Sequence, residues 1–569
     1  MQRSFINHIT RKVDSLDGIW NFRIDPEDRG EAEGWFSSLP EGESVTVPSV
    51  WNTQMGLLEY EGAAWYEKKF YSQGGTLRFL FGAVMTQADV WLDGVKLGDH
   101  YGGFCQFSFL VPDVTPGLHT LTVRADNRFD KNSIPMPKVD WYHYGGITRG
   151  ISVEQLNGIC ILNNRLEYTL NAERTCATCH FVLELYNARS EQTTSQVTAQ
   201  LDGVTVYTAP VTLTAHETAE LTTPDFTVEQ VRLWDVGQPN LYPIHLTTDT
   251  DDLLDRTGFR TVEIVGESVV LNGTPFEIRG INRHEDHPDW GMAFPEGLMK
   301  RDLDIIQDLG CNSVRGSHYP NNPVFVDMLD ERGLTFWSEI PFWGNGYTDE
   351  DCANPIILRR GLEMHREMVK YYYNHPCIII WGMHNEMPTQ SQQMVEMTKL
   401  FYPFLKENGG NRLVTFATNR PYKDICFEHC DILCLNWYAG WYYSKREEWP
   451  EAIEKFRVRR EELGLSHKPV IYSEFGGAGI YGHHTFDDLR GTEEYQATML
   501  DQCLRTFHES PIVAGFYVWQ FSDMRTCREM GLDRARSYNN KGILNEYRKP
   551  KMAYHAVKKA YHDFAGEEK

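Results

Sequence analysis

Two glutamates of this sequence stand where they could act together as catalytic carboxyl groups. Glu386 closely follows the apolar run 378–383, and Glu474 follows the apolar run 470–472. Hydrolysis of a glycosidic bond uses such a pair, one carboxyl group to donate a proton and one to act at the anomeric carbon. Either glutamate alone is more simply explained by a salt bridge, because carboxylates are common at exposed strand ends. The interpretation therefore depends on whether the fold brings the two runs to one edge.

The second half of the sequence predicts a fold that would do this. Beyond residue 266, apolar strand-like runs alternate with segments of helical length, which is typical of parallel strands joined by helices. Eight such runs predict a (β/α)8 barrel over residues 266–569, a fold in which active sites lie at the carboxyl ends of the strands. The runs are 277–280, 313–316, 334–338, 378–383, 413–417, 432–436, 470–473 and 514–519.

The first 265 residues are patterned differently. Short segments of alternating polarity, such as 76–81, are separated by turn sequences such as Asp93-Gly94, which favours antiparallel strands and hairpins. The stretch 156–265 continues this pattern with turn signals about every ten residues, which predicts a small sandwich. We therefore predict three domains with the bounds 1–155, 156–265 and 266–569.

Composition excludes several classes of protein. The sequence has 55 Lys and Arg residues against 79 Asp and Glu residues, a net charge of −24. A nucleic-acid or general polyanion binder is excluded, because such binding needs clustered positive charge. No apolar run has the length of a membrane span, and the first residues do not form a signal-peptide pattern. We therefore expect a cytoplasmic protein without a membrane partner.

Motifs at the strand ends carry a family resemblance. Asn385-Glu386, the segment 473–476 (Ser-Glu-Phe-Gly) and the segment 279–286 (Arg-Gly-Ile-Asn-Arg-His-Glu-Asp) resemble the signatures of glycoside hydrolase family 2. The resemblance extends over essentially the whole chain. It implies a jelly-roll β-sandwich, an immunoglobulin-like β-sandwich and a C-terminal (β/α)8 TIM barrel. It also implies a retaining mechanism with Glu386 as acid/base and Glu474 as nucleophile.

A motif after the eighth run bears on the sugar. Asn539-Asn-Lys541 is similar to the Asn-x-Lys motif of the β-glucuronidases of this family, where the two side chains hold the C6 carboxylate of the sugar. An ammonium and an amide supply the hydrogen bonds that a uronate needs and a neutral hexose does not. Such a short motif alone would predict a solvated lysine, but its place after the eighth strand favours a site. The resemblance thus implies an exo-β-D-glucuronidase acting on small-molecule glucuronides.

The same resemblance implies further contacts with the sugar. Asp140 would reach from the first domain to a sugar hydroxyl, and Tyr438 would lie against the nucleophile. His284 would line the pocket and Trp519 would form its floor, although either could equally be an ordinary core side chain. The remaining predicted substrate contacts are Asn385, Asn436 and Tyr442.

Two positions depart from the patterns of relatives in this family. Its β-glucuronidases often carry an arginine four residues before the motif asparagine, where this sequence has Ala535. Arg534 and Arg536 flank that position, and either could contact the substrate carboxylate. The segment 339–345 lacks the downstream acid and histidine of the magnesium site in β-galactosidases of the family, so we predict no metal site.

Alternatives stay open at this point. The nearest is a β-galactosidase or β-galacturonidase of the same family, and a third hypothesis is a carbohydrate-binding or scaffold protein, which the presence of both glutamates disfavours. Cys176-x-x-Cys179-His180 matches a haem-attachment pattern, but it opens a predicted strand of a protein without an export signal. We expect that catalysis requires no cofactor, while an accessory surface ligand such as FMN is not excluded. The resemblance also implies a homo-oligomer, either a dimer or a tetramer.

Overall fold

The computed structural model describes residues 3–344 and 346–566. Along the chain, two β-sandwich units are followed by a closed barrel of eight parallel strands. This architecture confirms the predicted fold class. Among the described residues, no helix has the length and apolar character needed to cross a bilayer.

The first unit packs a four-stranded sheet against a six-stranded sheet around a shared core. Alternate residues of a strand point to opposite faces of its sheet. In Gly18–Asp25, for example, Trp20 and Phe22 are buried while Arg23 is exposed. The strands of this unit are Lys12–Ser15, Gly18–Asp25, Glu43–Val47, Ala63–Ser72, Gly75–Met85, Gln87–Leu92, Val95–Tyr101, Phe107–Val114, Gly117–Asp126 and Gly146–Leu156.

The second unit pairs two four-stranded antiparallel sheets. Its strands are Ile159–Leu170, Cys176–Asn187, Thr193–Leu201, Val204–Leu213, Thr218–Thr222, Phe226–Glu229, Tyr242–Thr247 and Asp252–Thr257, with a short pair at Trp234–Asp235 and Gln238–Pro239. A three-stranded sheet, Val262–Val265, Ser268–Leu271 and Thr274–Pro275, leads into the barrel. Its Val269 and Leu271 share a hydrophobic cluster with the barrel residues Ile278 and Ile471. The connecting sheet therefore packs against the barrel strands near their amino ends.

All eight predicted runs are strands of the barrel, and the first pairs with the eighth through Ile278 and Gly515. Because the strands are parallel, the connections between consecutive strands begin at the carboxyl edge of the barrel, which carries the site described below. The strands are Ile278–Arg283, Ser313–Gly316, Thr335–Glu339, Ile378–Asn385, Leu413–Thr418, Leu433–Asn436, Val470–Phe475 and Val513–Val518.

Helices cover the outside of the barrel. Asn354 caps the helix Pro355–Tyr372 by accepting a hydrogen bond from a backbone N–H, and the buried face of this helix carries Ile357, Met364 and Met368. The α-helices of this part of the chain are Glu296–Asp308, Pro323–Arg332, Asp349–Cys352, Pro355–Tyr372, Gln392–Asn408, Trp449–Glu462, Glu493–Glu509, Arg528–Gly531 and Met552–Ala565.

One connection differs from the expected alternation of strands and helices. Between the fifth and sixth strands, the fully described segment 419–432 forms a 3-10 turn at Phe427–His429 in place of an α-helix. The segment is too short for a helix of ordinary length together with two connections. The strand count predicted from the sequence is thus confirmed, while the helix expected at this connection is absent.

The first sandwich docks on the carboxyl end of the barrel. Its Arg149 pairs with Glu285 at 3.2 Å and donates to the backbone oxygen of Pro320, and its Tyr144 donates to Asp286 at 2.6 Å. Arg149 and Glu285 are almost fully buried, so removing either partner would leave an uncompensated charge. These contacts place the loop that carries Asp140 over the barrel rim.

Candidate active site

The two glutamates lie at the carboxyl ends of the fourth and seventh strands. Glu386 directly follows Ile378–Asn385, and Glu474 lies within Val470–Phe475. Their exposed fractions are 8% and 3%, so both carboxyl groups are largely shielded from water. Asn436 is the register partner of Glu474 and donates from Nδ2 to Oε1 of Glu386 at 3.0 Å. The sixth strand thus contacts both residues of the pair.

The two carboxyl groups have different surroundings. Glu474 accepts a hydrogen bond from the Arg315 guanidinium at 2.9 Å on Oε1 and from the Tyr438 hydroxyl at 2.8 Å on Oε2. Both of its oxygens are therefore fixed, one of them by a cation. Glu386 accepts from the neutral amide of Asn436. These surroundings favour ionisation of Glu474 over that of Glu386.

Burial is the largest influence on both acids. Together with the neighbouring charge of Glu474, it raises the pKa of Glu386 to about 8. Burial also raises the pKa of Glu474 to about 7, opposed by Arg315 and Tyr438, which stabilise the carboxylate. As pH rises, Glu474 therefore loses its proton first. At a pH between the two pKa values, the pair consists of one protonated carboxylic acid and one carboxylate. Glycoside hydrolysis needs the pair in this state.

Arg315 is the centre of a buried network that our sequence-based set of site residues lacked. It contacts Glu339 through two N–H groups at 2.9 and 3.1 Å, in addition to Glu474, and donates to Asn385 Oδ1 at 2.8 Å. Asn385 Oδ1 also accepts from Asn436 at 3.0 Å. With Oδ1 occupied in this way, Nδ2 of Asn385 is buried without a hydrogen-bond partner within 3–344 and 346–566. This amide can donate to a hydroxyl of the sugar.

A sequence signal for Arg315 exists, although it is weak. The residue belongs to the short strand Ser313–Gly316, all of which is buried. A buried arginine has to be paired, so an arginine inside an apolar strand indicates carboxylates nearby. The sequence does not say which carboxylates these are, because Glu339 and Glu474 come from distant strands.

A second group of predicted residues meets on the loops above the barrel. We call Asp140, Tyr442, Arg534, Asn539 and Lys541 the loop cluster. Lys541 is 1% exposed and donates from Nζ to the Tyr442 hydroxyl at 2.8 Å. Its ammonium also lies 5.8 Å from the ring centroid of Tyr438, the residue that contacts Glu474. Asn539 donates to Asp140 at 2.9 Å. The structure therefore brings these residues together beside Glu386 and Glu474.

The two candidate arginines separate clearly. Arg534 forms an ion pair with Asp140, inside the loop cluster. Arg536 has the left-handed backbone conformation, with φ 63°, and its guanidinium pairs instead with Glu546 at 2.8 Å. Arg534 is thus the flanking arginine that lies with the predicted carboxylate contacts. The Arg536 guanidinium also donates to the side-chain oxygen of Asn540 at 2.9 Å.

Aromatic rings form a wall beside the pair. His284 hydrogen-bonds to Tyr319 at 3.2 Å, and its ring centroid lies 5.5 Å from that of Trp519. Burial, with nearby cations, holds the pKa of His284 well below its usual range, so the ring is neutral. Trp519 stacks on His318 at 5.2 Å, and Trp141 of the first sandwich lies 5.8 Å from His284. His318 and Trp141 were absent from our predicted contacts.

Among the described residues, one group of acidic and histidine side chains has the spacing of a metal site. It consists of Asp327, Asp330 and His375, on a helix and on the loop before the fourth strand. Arg3 pairs with Asp327 at 2.7 Å, and His375 bonds to Asp330 at 2.5 Å. The group lies toward the amino end of the barrel strands. We interpret it as a buried salt-bridge network that fixes the N-terminal segment.

Comparison with known proteins decides the family. A family model described as "Glycosyl hydrolases family 2, TIM barrel domain" matches residues 262–565, and one described as "Glycosyl hydrolases family 2" matches residues 163–260. The chain belongs to glycosyl hydrolase family 2. The family resemblance of the motifs is therefore confirmed, and this family 2 enzyme is a glycoside hydrolase.

Solved and curated relatives align over nearly the whole enzyme. The crystal structure of a family 2 β-galacturonidase from Eisenbergiella tayi, bound to galacturonate, is 31% identical with a TM-score of 0.92 and covers 99% of both chains. The structure of Ruminococcus gnavus β-glucuronidase is 26% identical with a TM-score of 0.86, covering 99% of this chain and 98% of that one. A curated β-glucuronidase of Paenibacillus borealis is 26% identical over 96% of each chain.

Proposed function

We propose that this enzyme is a retaining exo-β-D-glucuronidase, which hydrolyses small-molecule β-D-glucuronides to glucuronate and an aglycone. The observation that carries the proposal is the buried ammonium of Lys541 beside the pair Glu386 and Glu474. Burying an ammonium is costly unless an anion pairs with it. Asp140 is the one carboxylate of the loop cluster and pairs with Arg534, so two cations share it and the C6 carboxylate of a glucuronide would supply the second anion. The relatives named β-glucuronidases support this choice of sugar.

In the first chemical step, the carboxylate of Glu474 attacks the anomeric carbon while Glu386 gives its proton to the glycosidic oxygen. The aglycone leaves as a neutral alcohol, and the sugar is held as an ester of Glu474. Arg315 and Tyr438 orient the attacking carboxylate, because each holds one of its oxygens. The proton comes from Glu386, whose raised pKa keeps it protonated near neutral pH.

In the second step, Glu386 is ionised and accepts a proton from water. The resulting hydroxide equivalent attacks the anomeric carbon, the ester bond breaks, and glucuronate leaves with the configuration of the substrate. Glu474 returns as a carboxylate and Glu386 as an acid. The two inversions, one at each step, account for the retention that we propose.

A second candidate substrate is a β-D-galacturonide, which the 31% identical relative from Eisenbergiella tayi favours. Galacturonate and glucuronate carry the same carboxylate and differ only in the configuration at C4. Lys541 would therefore serve both, whereas a neutral β-galactoside offers it no anion. Oδ1 of Asp140 is buried and unpaired within the part of the chain that the structure describes, so it can accept from a ring hydroxyl.

The test compares kcat/KM for an aryl β-glucuronide, β-galacturonide and β-galactoside in the wild type and in Lys541→Met. We expect the glucuronide to be the best wild-type substrate. Loss of a charge-assisted hydrogen bond should lower both uronide values by roughly 10- to 100-fold, with the galactoside value changed little. Lys549→Met is the matched control, because Lys549 is an exposed lysine of the same loop. Equal losses of kcat/KM on all three substrates would show that Lys541 does not bind the substrate carboxylate.

The location of the protein, its assembly and its need for a cofactor remain predictions from the sequence. We propose a cytoplasmic homo-oligomer, dimeric or tetrameric, in which catalysis needs no cofactor and FMN as an accessory ligand is left open. Light scattering of the purified enzyme measures its mass in solution against the 65.8 kDa of one chain. Full activity after dialysis against a chelator, with no flavin absorbance, would support catalysis without a cofactor.

A further inference from the structure

The segment that carries Asn539 and Lys541 rests on three buried polar side chains that the proposed chemistry does not use. They are Gln496, Asp523 and Lys551, and we call them the buried anchor. Their exposed fractions are 0%, 0% and 1%. Buried groups of this kind are costly unless their hydrogen bonds are made, so their partners indicate what they hold in place.

Lys551 binds the motif segment to the chain that follows Glu474. Its ammonium donates to the backbone oxygen of Gly479 at 2.6 Å, to that of Asn540 at 3.2 Å and to Asp523 Oδ1 at 2.7 Å. Asn540 is the middle residue of the Asn-x-Lys motif, and its backbone oxygen also accepts from the N–H of Gly479 at 3.0 Å. One cation therefore connects the motif directly with the segment leaving the seventh strand.

Gln496 makes a parallel connection from the helix Glu493–Glu509. Its Nε2, which carries two N–H groups, lies within hydrogen-bond distance of the backbone oxygens of Gly477 at 2.9 Å, Lys541 at 3.2 Å and Gly542 at 3.1 Å, so one N–H is shared between two carbonyls. Gly477 lies three residues after Glu474. The backbone of Lys541 is thus held by the same amide that holds the end of the strand carrying the proposed nucleophile.

Asp523 fixes the far side of the motif against the chain that follows the eighth strand. Its Oδ1 accepts from the N–H of Gly542 at 3.0 Å as well as from Lys551. The approach is close, because a Cβ on Gly542 would lie 2.1 Å from the backbone nitrogen of Asp523. Any side chain at 542 would push the motif away. Burial raises the pKa of Asp523 to about 7 even beside Lys551.

We propose that the buried anchor of Gln496, Asp523 and Lys551 positions the Asn539–Lys541 segment relative to Glu474, and so determines how strongly the enzyme binds the carboxylate of its substrate. These are positioning residues, since they act through the backbone of the motif and touch no reacting atom. The inference rests on the proposed function. A displacement of about 1 Å at such a site can cost roughly 100-fold in rate or affinity.

The experiment uses two inhibitors that differ only in the group corresponding to C6 of the sugar. Uronic isofagomine carries a carboxylate there, and isofagomine itself, called neutral isofagomine below, carries an uncharged hydroxymethyl group. The ratio of their inhibition constants measures carboxylate recognition apart from the rest of the site. We expect Gln496→Leu and Lys551→Met to reduce the preference for uronic isofagomine by roughly 10-fold or more, with the constant for neutral isofagomine near wild type. An Asp523→Asn/Lys551→Met double variant avoids leaving one buried charge, in case Lys551→Met fails to fold.

The control for general damage is Arg11→Met, which breaks the buried Arg11–Asp251 pair far from the motif. It should lower the melting temperature while leaving the ratio of inhibition constants unchanged. If the wild type prefers uronic isofagomine but the anchor variants keep the wild-type ratio, the anchor is merely structural and this proposal is wrong. If the wild type itself shows no preference, the proposed glucuronidase function fails first.

Discussion

Glu386 and Glu474 are carried by strands of one barrel, whereas the loop cluster is assembled from loops of two different units. The acids are fixed by buried side chains of neighbouring strands, such as Arg315 and Asn436. Lys541 is held mainly through its backbone oxygen, which accepts from the side chain of Gln496 and from the backbone N–H of Gln520. Strands hold a reacting geometry more rigidly than loops, while loops tolerate change between relatives. In the function that we propose, the barrel strands determine bond cleavage and the loop cluster selects the sugar.

The sharpest way to break this comparison is to remove each acid. Glu474→Ala should lower kcat by about 10⁴-fold or more, because no carboxylate is left to attack the sugar. Azide should restore turnover and give the α-glucuronosyl azide, since it attacks the intact substrate from the face that Glu474 occupied. Glu386→Ala with azide should give the β-azide from the glycosyl ester. NMR of the products distinguishes the two, and exchanged configurations would reverse our assignment of roles.

A smaller effect is expected in the loop cluster. Arg534→Met should lower kcat/KM for an aryl β-glucuronide by about 10-fold, because a cation beside the substrate carboxylate and Asp140 is lost. Arg528→Met is the matched control, because Arg528 is an exposed arginine of the short helix Arg528–Gly531, six residues away. It should stay within about twofold of wild type. Equal effects of the two substitutions would contradict the placement of Arg534 in the cluster.

The smallest effect concerns pH. Activity needs ionised Glu474 and protonated Glu386, so kcat/KM should rise as pH passes through about 7 and fall through about 8. The two limbs belong to the pair as a unit. Tyr438→Phe removes a hydrogen bond that favours the Glu474 carboxylate and should move the rising limb to higher pH. A shift of that limb to lower pH would mean that Tyr438 does not stabilise this carboxylate.

The barrel could be predicted well from the sequence because its strands are buried on both faces and read as continuous apolar runs. The positions of Glu386 and Glu474 followed from the same pattern. The absence of an α-helix before the sixth strand was harder to predict. An apolar run predicts a strand but does not predict the structure of the segment that connects it to the next one. Here the brevity of the segment 419–432 was the available clue.

The side chains that complete the site were harder to predict. The choice between Arg534 and Arg536 depends on a local turn, in which Arg536 takes a positive φ and its guanidinium contacts Glu546 and Asn540. No residue pattern in the sequence specifies that turn. Arg315 was visible at a strand end, but its partners lie on other strands, and only the closed barrel brings Glu339 and Glu474 to it.

If the loop cluster binds the sugar as we propose, the ion pair between Asp140 and Arg534 gives the first sandwich a part in selectivity as well as in stability. An enzyme nicked in the loop that carries Asp140 would keep Glu386 and Glu474 on the barrel, yet lose one wall of the loop cluster. Such a molecule would discriminate poorly among glycosides before it stopped cleaving them. Under the proposed function, a faithful choice of substrate would therefore report that the first sandwich is correctly docked on the barrel.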